Sequence, residues 1–130
     1  MSATYSYNTT EKLKSRKLLD RLFTKGRSVS VFPVKAFYMP LPSDAEEVVQ
    51  AGIGVSARNF SKAVQRNRIK RLLRESYRLN KAILHEGLRT DQKKAAVFFL
   101  YIGKDMPDFV TLNGLMPSLL NKLAIAIAKA

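Results

Sequence analysis

Hydrophobic positions change period several times along the chain, and each change marks an element. Leu13, Leu18, Leu19, Leu22 and Phe23 recur at roughly helical spacing behind Thr10, a candidate N-cap, and predict a first helix. Lys25-Gly26 ends it, because a cation suits the last turn and glycine suits a left-handed residue just beyond. Val31 to Met39 is rich in β-branched and aromatic residues, with Pro33 and Pro40 near its two ends, and predicts a strand. Pro40 to Glu47 reads as a turn carrying three acids. Val48 to Ala57 alternates loosely and predicts a second strand, with Gly52 and Gly54 leaving one face bare. Ser61 is placed to cap a long helix running to about His85. After a polar connection from Glu86 to Lys94, Ala95 to Ile102 is apolar on both faces, which predicts a central strand. Gly103 to Phe109 turns. A last helix reaches about Lys129 on a stripe of Leu119, Leu120, Leu123 and Ile127, and Gly114 and Pro117 leave its start open to as late as Pro117.

The order α-β-β-α-β-α predicts an α+β fold, a single-domain α-β sandwich with three helices on a small sheet. Residues 1–9 are polar and are expected to form a flexible tail, leaving 10–130 as one domain. The length, 130 residues, suits one core rather than two, and the 46% of apolar residues is enough to fill it. The absence of Cys excludes disulfides and thiolate metal sites and fits a reducing cytoplasm. The longest uncharged stretch after the tail, Phe109 to Asn121, is too short to span a bilayer, and Met1 to Thr10 lacks the basic and apolar regions of a signal peptide.

Charge changes the picture most. Lys and Arg number 23 against 10 Asp and Glu, a net +13, which points to a polyanionic partner. The excess is clustered: seven basic residues lie between Met1 and Val29, and seven more between Lys62 and Arg78. The rest of the chain is nearly balanced. A bias serving solubility alone would not be concentrated this way. At 100° per residue, Ile69, Leu72, Leu73, Ser76 and Leu79 fall on one side of the long helix. Asn67, Lys70, Arg71, Arg74 and Arg78 fall on the other, with Glu75 as the only acid to relieve them. Arg meets phosphate oxygens two at a time through its planar fork, so this face suits nucleic acid better than it suits plain solvation.

Lys62-Ala63-Val64-Gln65-Arg66-Asn67-Arg68-Ile69-Lys70-Arg71-Leu72-Leu73-Arg74-Glu75 resembles the signature helix of the bacterial ribonuclease P protein subunit. Val55-Ser56 followed by Arg58 is similar to the Val-Ser-Lys-Lys segment before that helix, and Leu22-Phe23-Thr24-Lys25-Gly26 resembles the end of the family's first helix. Three features differ. Ser61 stands where the family usually has Gly, Ala57 replaces the first Lys of the pair, and the segment from Ala57 to Phe60 is one residue longer.

The resemblance implies a mixed sheet with a left-handed βαβ crossover, and a small protein partner of a catalytic RNA that removes the 5′ leader of precursor tRNA. Lys62, Arg66, Asn67, Arg68, Lys70, Arg71 and Arg74 would then contact the RNA subunit. Leu19, Phe23, Lys35, Phe37 and Arg58 would face a cleft holding the leader. The implied partners are RNA, with neither DNA nor membrane among them, and the implied ion is Mg²⁺ bound by the RNA partner. The residues are compatible with such a cleft, since Lys35 and Phe37 alternate onto one strand face, and cations with aromatic rings grip single strands. Phe23 and Phe37 read equally as core residues, and periodicity leaves open whether Phe98 or the pair Phe99 and Tyr101 lies on the open face. No catalytic constellation is present. His85, the only His, reads as a helix-end surface residue. Asp44, Glu46 and Glu47 read as a polar turn, and Gly52-x-Gly54 reads as a packing feature. Two other readings compete: a ribosomal-type RNA-binding module, and a DNA regulator, for which no helix-turn-helix partner is visible.

Overall fold

The computed structural model describes residues 16–45 and 47–129, so Thr10, Leu13 and the tail lie outside the described residues. The elements are α1 (Arg16–Lys25), β1 (Arg27–Val31), β2 (Val34–Pro40), β3 (Val49–Val55), α2 (Ala63–Asn80), α3 (Ala82–Thr90), β4 (Ala95–Tyr101) and α4 (Phe109–Ala128). The strands form one sheet in the order β1-β2-β4-β3. The β1-β2 and β2-β4 pairs are antiparallel, whereas β3 and β4 run parallel and are joined through α2 and α3. The sheet is therefore mixed, with β4 inside it as its two-sided apolarity predicts.

Strand alternation sorts the sheet into two unequal faces. Val34, Ala36 and Tyr38 of β2, Val49 and Ala51 of β3, and Val97, Phe99 and Tyr101 of β4 enter the main core. There they meet Ile69, Leu73 and Tyr77 of α2, Leu84 and Leu88 of α3, and the long stripe of α4 from Leu112 to Ile127. Among the described residues the opposite face has only α1 over it, where Leu22 and Ala96 form a small second core flanked by Leu18, Leu19, Phe37, Met39, Leu41 and Phe98.

Several expectations from the sequence are corrected. The first predicted strand is a hairpin: proline cannot donate to a ladder, and Pro33 falls in the turn that splits Val31 to Met39 into the end of β1 and the body of β2. The long helix breaks at Lys81 into α2 and α3, giving four helices and four strands among the described residues. Ser61 is not its cap. Lys62 holds the N-cap position without a side-chain bond. The Arg66 guanidinium instead reaches back, Nη1 donating to the carbonyls of Phe60 (2.9 Å) and Ser61 (2.7 Å). Leu79 is exposed, and Tyr77 takes the buried position in its place, because the buried stripe of α2 runs through Ile69, Leu73, Ser76 and Tyr77.

Gly26 is required for a different reason from the one its place after a helix suggests. No glycine among the described residues has positive φ. A Cβ on Gly26 would lie 2.3 Å from the Leu22 carbonyl oxygen, the same oxygen that accepts from the Gly26 N–H at 3.0 Å. The left-handed residue is Gln92, with φ 55°.

α4 starts at Phe109, well before Pro117. The Asp108 carboxylate caps it, accepting from the Thr111 N–H at 2.7 Å. Pro inside a helix costs about 3 kcal/mol. Leu112 and Met116 are buried before it and Leu119 and Leu120 just after it, at about 1.5–3 kcal/mol per side chain. Burial on both sides of Pro117 offsets the lost hydrogen bond. By composition α4 is long and apolar enough to cross a membrane, with a mean hydropathy of 1.3. Here its apolar stripe is the centre of the main core.

Candidate RNA interface

Two surfaces follow from this architecture, and they lie on opposite sides of the sheet. The first is the outer face of α2. Burial of Ile69, Leu73 and Tyr77 turns Asn67, Arg68, Arg71 and Arg74 outward, where all four are exposed, and Lys70 is half-buried beside them. Lys62 is exposed at the N-terminus of the helix. Val64 is also exposed, at 81%, which no packing need explains. Glu75 pairs with Arg78, whose Nε donates at 3.2 Å, and this bond holds the Glu75 carboxyl below its usual pKa. Arg78 is thereby occupied, and the unrelieved cations lie toward the N-terminal half of the helix.

Arg66 differs from its neighbours. It is half-buried, and one of its nitrogens is committed to the loop carbonyls described above. That loop, the segment expected from the sequence to differ from the family pattern, is firmly anchored. Asn59 Nδ2 donates to the carbonyls of Ile102 (3.3 Å) and Gly103 (3.2 Å). Phe60 is buried with its ring 6.0 Å from that of Tyr101. The chain turns at 57–59, where Arg58 is exposed.

The second surface is the sparsely covered sheet face. Lys35, Phe37 and Met39 point to it from β2, and Ala96, Phe98 and Leu100 from β4. α1 lies over the Met39 and Ala96 end. From its last turns Phe23, 48% exposed, makes edge contacts with both Phe37 and Phe98, each at 5.1 Å between ring centroids. Lys35 Nζ stands 5.0 Å from the centroid of Phe37, within cation-π range. On the flanks the side chains are small: Ser28 and Ser30 of β1 pair with Phe37 and Lys35, and Gly52 and Gly54 of β3 pair with Phe98 and Leu100. A Cβ on Gly54 would come within 2.6 Å of the Phe98 ring, so glycine there keeps the aromatic surface flat. The result is a shallow cleft with a three-ring wall and floor, a cation at one end and low rims.

The structure therefore brings together Leu19, Phe23, Lys35 and Phe37. Leu19 supports the cluster from α1 as a half-buried residue. Arg58 follows β3 at the same end of the sheet as Lys35. Phe98 is the member that sequence reasoning left undecided. Its partner-strand register with Phe37 settles its face, and Phe99 and Tyr101 belong to the core. His85 is corrected from a surface residue to a buried one, its Nε2 3.2 Å from the Tyr77 hydroxyl. Asp44 is exposed in its turn, and Glu46 lies outside the described residues. Among the described residues no group of three or more His, Cys, Asp or Glu could hold a metal ion.

Comparison with known proteins converges on one family. The sequence profile described as Ribonuclease P matches residues 7–124. The ribonuclease P protein component of Porphyromonas gingivalis is 32% identical over 94% of this chain and 89% of its own length. That of Caldanaerobacter subterraneus is 36% identical over 85% and 87%. Among solved structures, the RNase P protein of Staphylococcus aureus superposes with a TM-score of 0.67 at 19% identity, covering 90% of this chain and 97% of that one. The Thermotoga maritima protein gives 0.67 at 23%, covering 86% and 96%. At those identities the superpositions establish the fold alone. The profile and the relatives above 30% identity establish more: the chain belongs to the bacterial ribonuclease P protein family, the protein subunits of the ribonucleoprotein that cleaves precursor tRNA at its 5′ end.

Proposed function

We propose that the outer face of α2 binds the catalytic RNA and that the aromatic cleft binds the single-stranded 5′ leader of precursor tRNA. The observation that carries this reading is the exposed row of Asn67, Arg68, Arg71 and Arg74, standing in the family's order on a helix whose other side is committed to the core. Its guanidinium groups suit paired phosphate oxygens, and Asn67 suits a 2′-hydroxyl or a base edge. The cleft fits a single strand for a separate reason. Stacking on an aromatic face is worth ~1–3 kcal/mol per base and tolerates any sequence, and Phe23, Phe37 and Phe98 offer such faces beside Lys35. Arg58, at the Lys35 end of the sheet, would meet the leader backbone there.

Chemistry falls to the RNA in this reading. Mg²⁺ bound by the RNA partner would supply the activated water and stabilise the leaving oxygen. The protein's own residues position the two RNAs and screen their repulsion, in the cytoplasm where precursor tRNA is made. The test is reconstitution with a catalytic RNA and a labelled precursor. The protein alone should not cleave, and adding it should lower the Mg²⁺ concentration the RNA needs. Cleavage by protein freed of all RNA, or an unchanged Mg²⁺ requirement, would refute the proposal.

A further inference from the structure

We infer that the edge of the sheet at β1 carries a second, purely cationic contact for the leader, beyond the cleft. The inference rests on the reading that the cleft holds single-stranded leader. A groove of about 380 Å³ runs between β1 and α4, with Arg27, Lys122 and Lys129 as its cations and, among the described residues, no carboxylate in its lining. All three cations are exposed. Val29 and Tyr38 contribute to the floor, and Ile125, 58% exposed, stands at the rim as apolar surface for a ribose or base.

Its position ties it to the cleft rather than to α2. β1 is the edge strand opposite β3, and it is β3 that packs against α2. On the cleft side β1 presents Ser28 and Ser30, both exposed and level with Phe37 and Lys35. A single strand lying across the aromatic rings therefore meets no side-chain barrier among the described residues on leaving over β1. At that edge the Lys122 ammonium donates to the Ser30 carbonyl oxygen at 3.2 Å, which sets its charge beside the same row. The ammonium has three donors, so two are left for phosphate oxygens. Arg27 flanks Ser28 on the other side. The cleft thus supplies stacking, and the groove beyond the edge supplies phosphate neutralisation.

The experiment uses the reconstituted holoenzyme and three ligands: mature tRNA, precursor with a leader ending inside the cleft, and precursor with a leader long enough to pass the β1 edge. The long leader should bind more tightly than the short one. In the triple variant Arg27→Gln, Lys122→Gln, Lys129→Gln that extra affinity should vanish, while binding of short leader and mature tRNA stays unchanged. The salt slope for the long leader should fall by about 2, at roughly 0.7 per single-strand phosphate contact. Equal losses on all three ligands, or no loss on the long leader, would overturn the inference while leaving the cleft reading intact. A wild-type enzyme blind to any leader would overturn the cleft reading itself. The charge-reversed pair Lys122→Glu, Lys129→Glu provides a second variant, expected to penalise only the long leader.

Discussion

Replacing Arg66 by Ala should cost both RNA affinity and stability of the fold, whereas replacing Arg68 should cost RNA affinity alone. The two arginines sit two residues apart in the signature helix, yet their surroundings differ. Arg66 donates to the carbonyls of Phe60 and Ser61, one part-buried and one exposed. Arg68 is exposed and makes no hydrogen bond or ion pair among the described residues. A hydrogen bond from a charged donor contributes about 1.5–3 kcal/mol when shielded and less in water. One partly shielded bond and one exposed bond therefore total roughly 1–2 kcal/mol for Arg66. Arg68→Ala should stay within about 0.5 kcal/mol of wild type, the usual range for a surface change. For a domain of this size the Arg66 loss lowers the melting temperature by roughly 3–10 °C. Thermal unfolding followed by circular dichroism reads that difference directly. RNA-subunit binding measured across salt concentrations reads the other, with the slope flattening by about one unit per lost phosphate contact. Equal melting temperatures for the two variants would refute the role given to Arg66 in closing the loop before α2. An unchanged salt slope in Arg68→Ala would refute its place against phosphate.

Phe37→Ala should weaken binding of leader-bearing precursor by about 1–3 kcal/mol, the value of one stacked base, and leave mature tRNA unaffected; equal losses in a filter-binding assay would assign Phe37 to the small core instead. Gly54→Ala should push the Phe98 ring out of the cleft floor, because the new methyl would stand 2.6 Å from it. The cost of overpacking is about 1–3 kcal/mol in urea unfolding, accompanied by loss of discrimination between precursor and mature tRNA. Asp108→Asn should flatten the acid limb of stability. The Thr111 N–H holds the Asp108 pKa below its usual value. Its contribution is therefore fully present above the usual carboxylate pKa and is lost as pH falls through the lowered one. Urea midpoints measured from neutral to acid pH should converge for wild type and variant at the acid end.

The order of residues from Lys62 to Glu75 was enough to identify the family and the helix that carries its cations. That was possible because a helix reads out on a local period, and its charged face needs no other part of the chain to define it. The stripe of α4 and the central position of β4 were legible for the same reason. What depended on long-range pairing was not. Phe98 and Phe99 are adjacent and chemically identical, and only the register of β4 against β2 sends one to the cleft and the other to the core. Pro33 looked like a strand end until β1 paired back onto β2. Arg66 looked like its neighbours until the loop before α2 folded under it. Gly26 meets the Leu22 carbonyl within its own helix end, but the Tyr38 carbonyl oxygen, 3.1 Å from where its Cβ would stand, comes near only once β1 pairs with β2. The net charge of +13 announced a polyanion. Where that charge can act was decided by the core, because burying one side of each element is what leaves the other side free to bind.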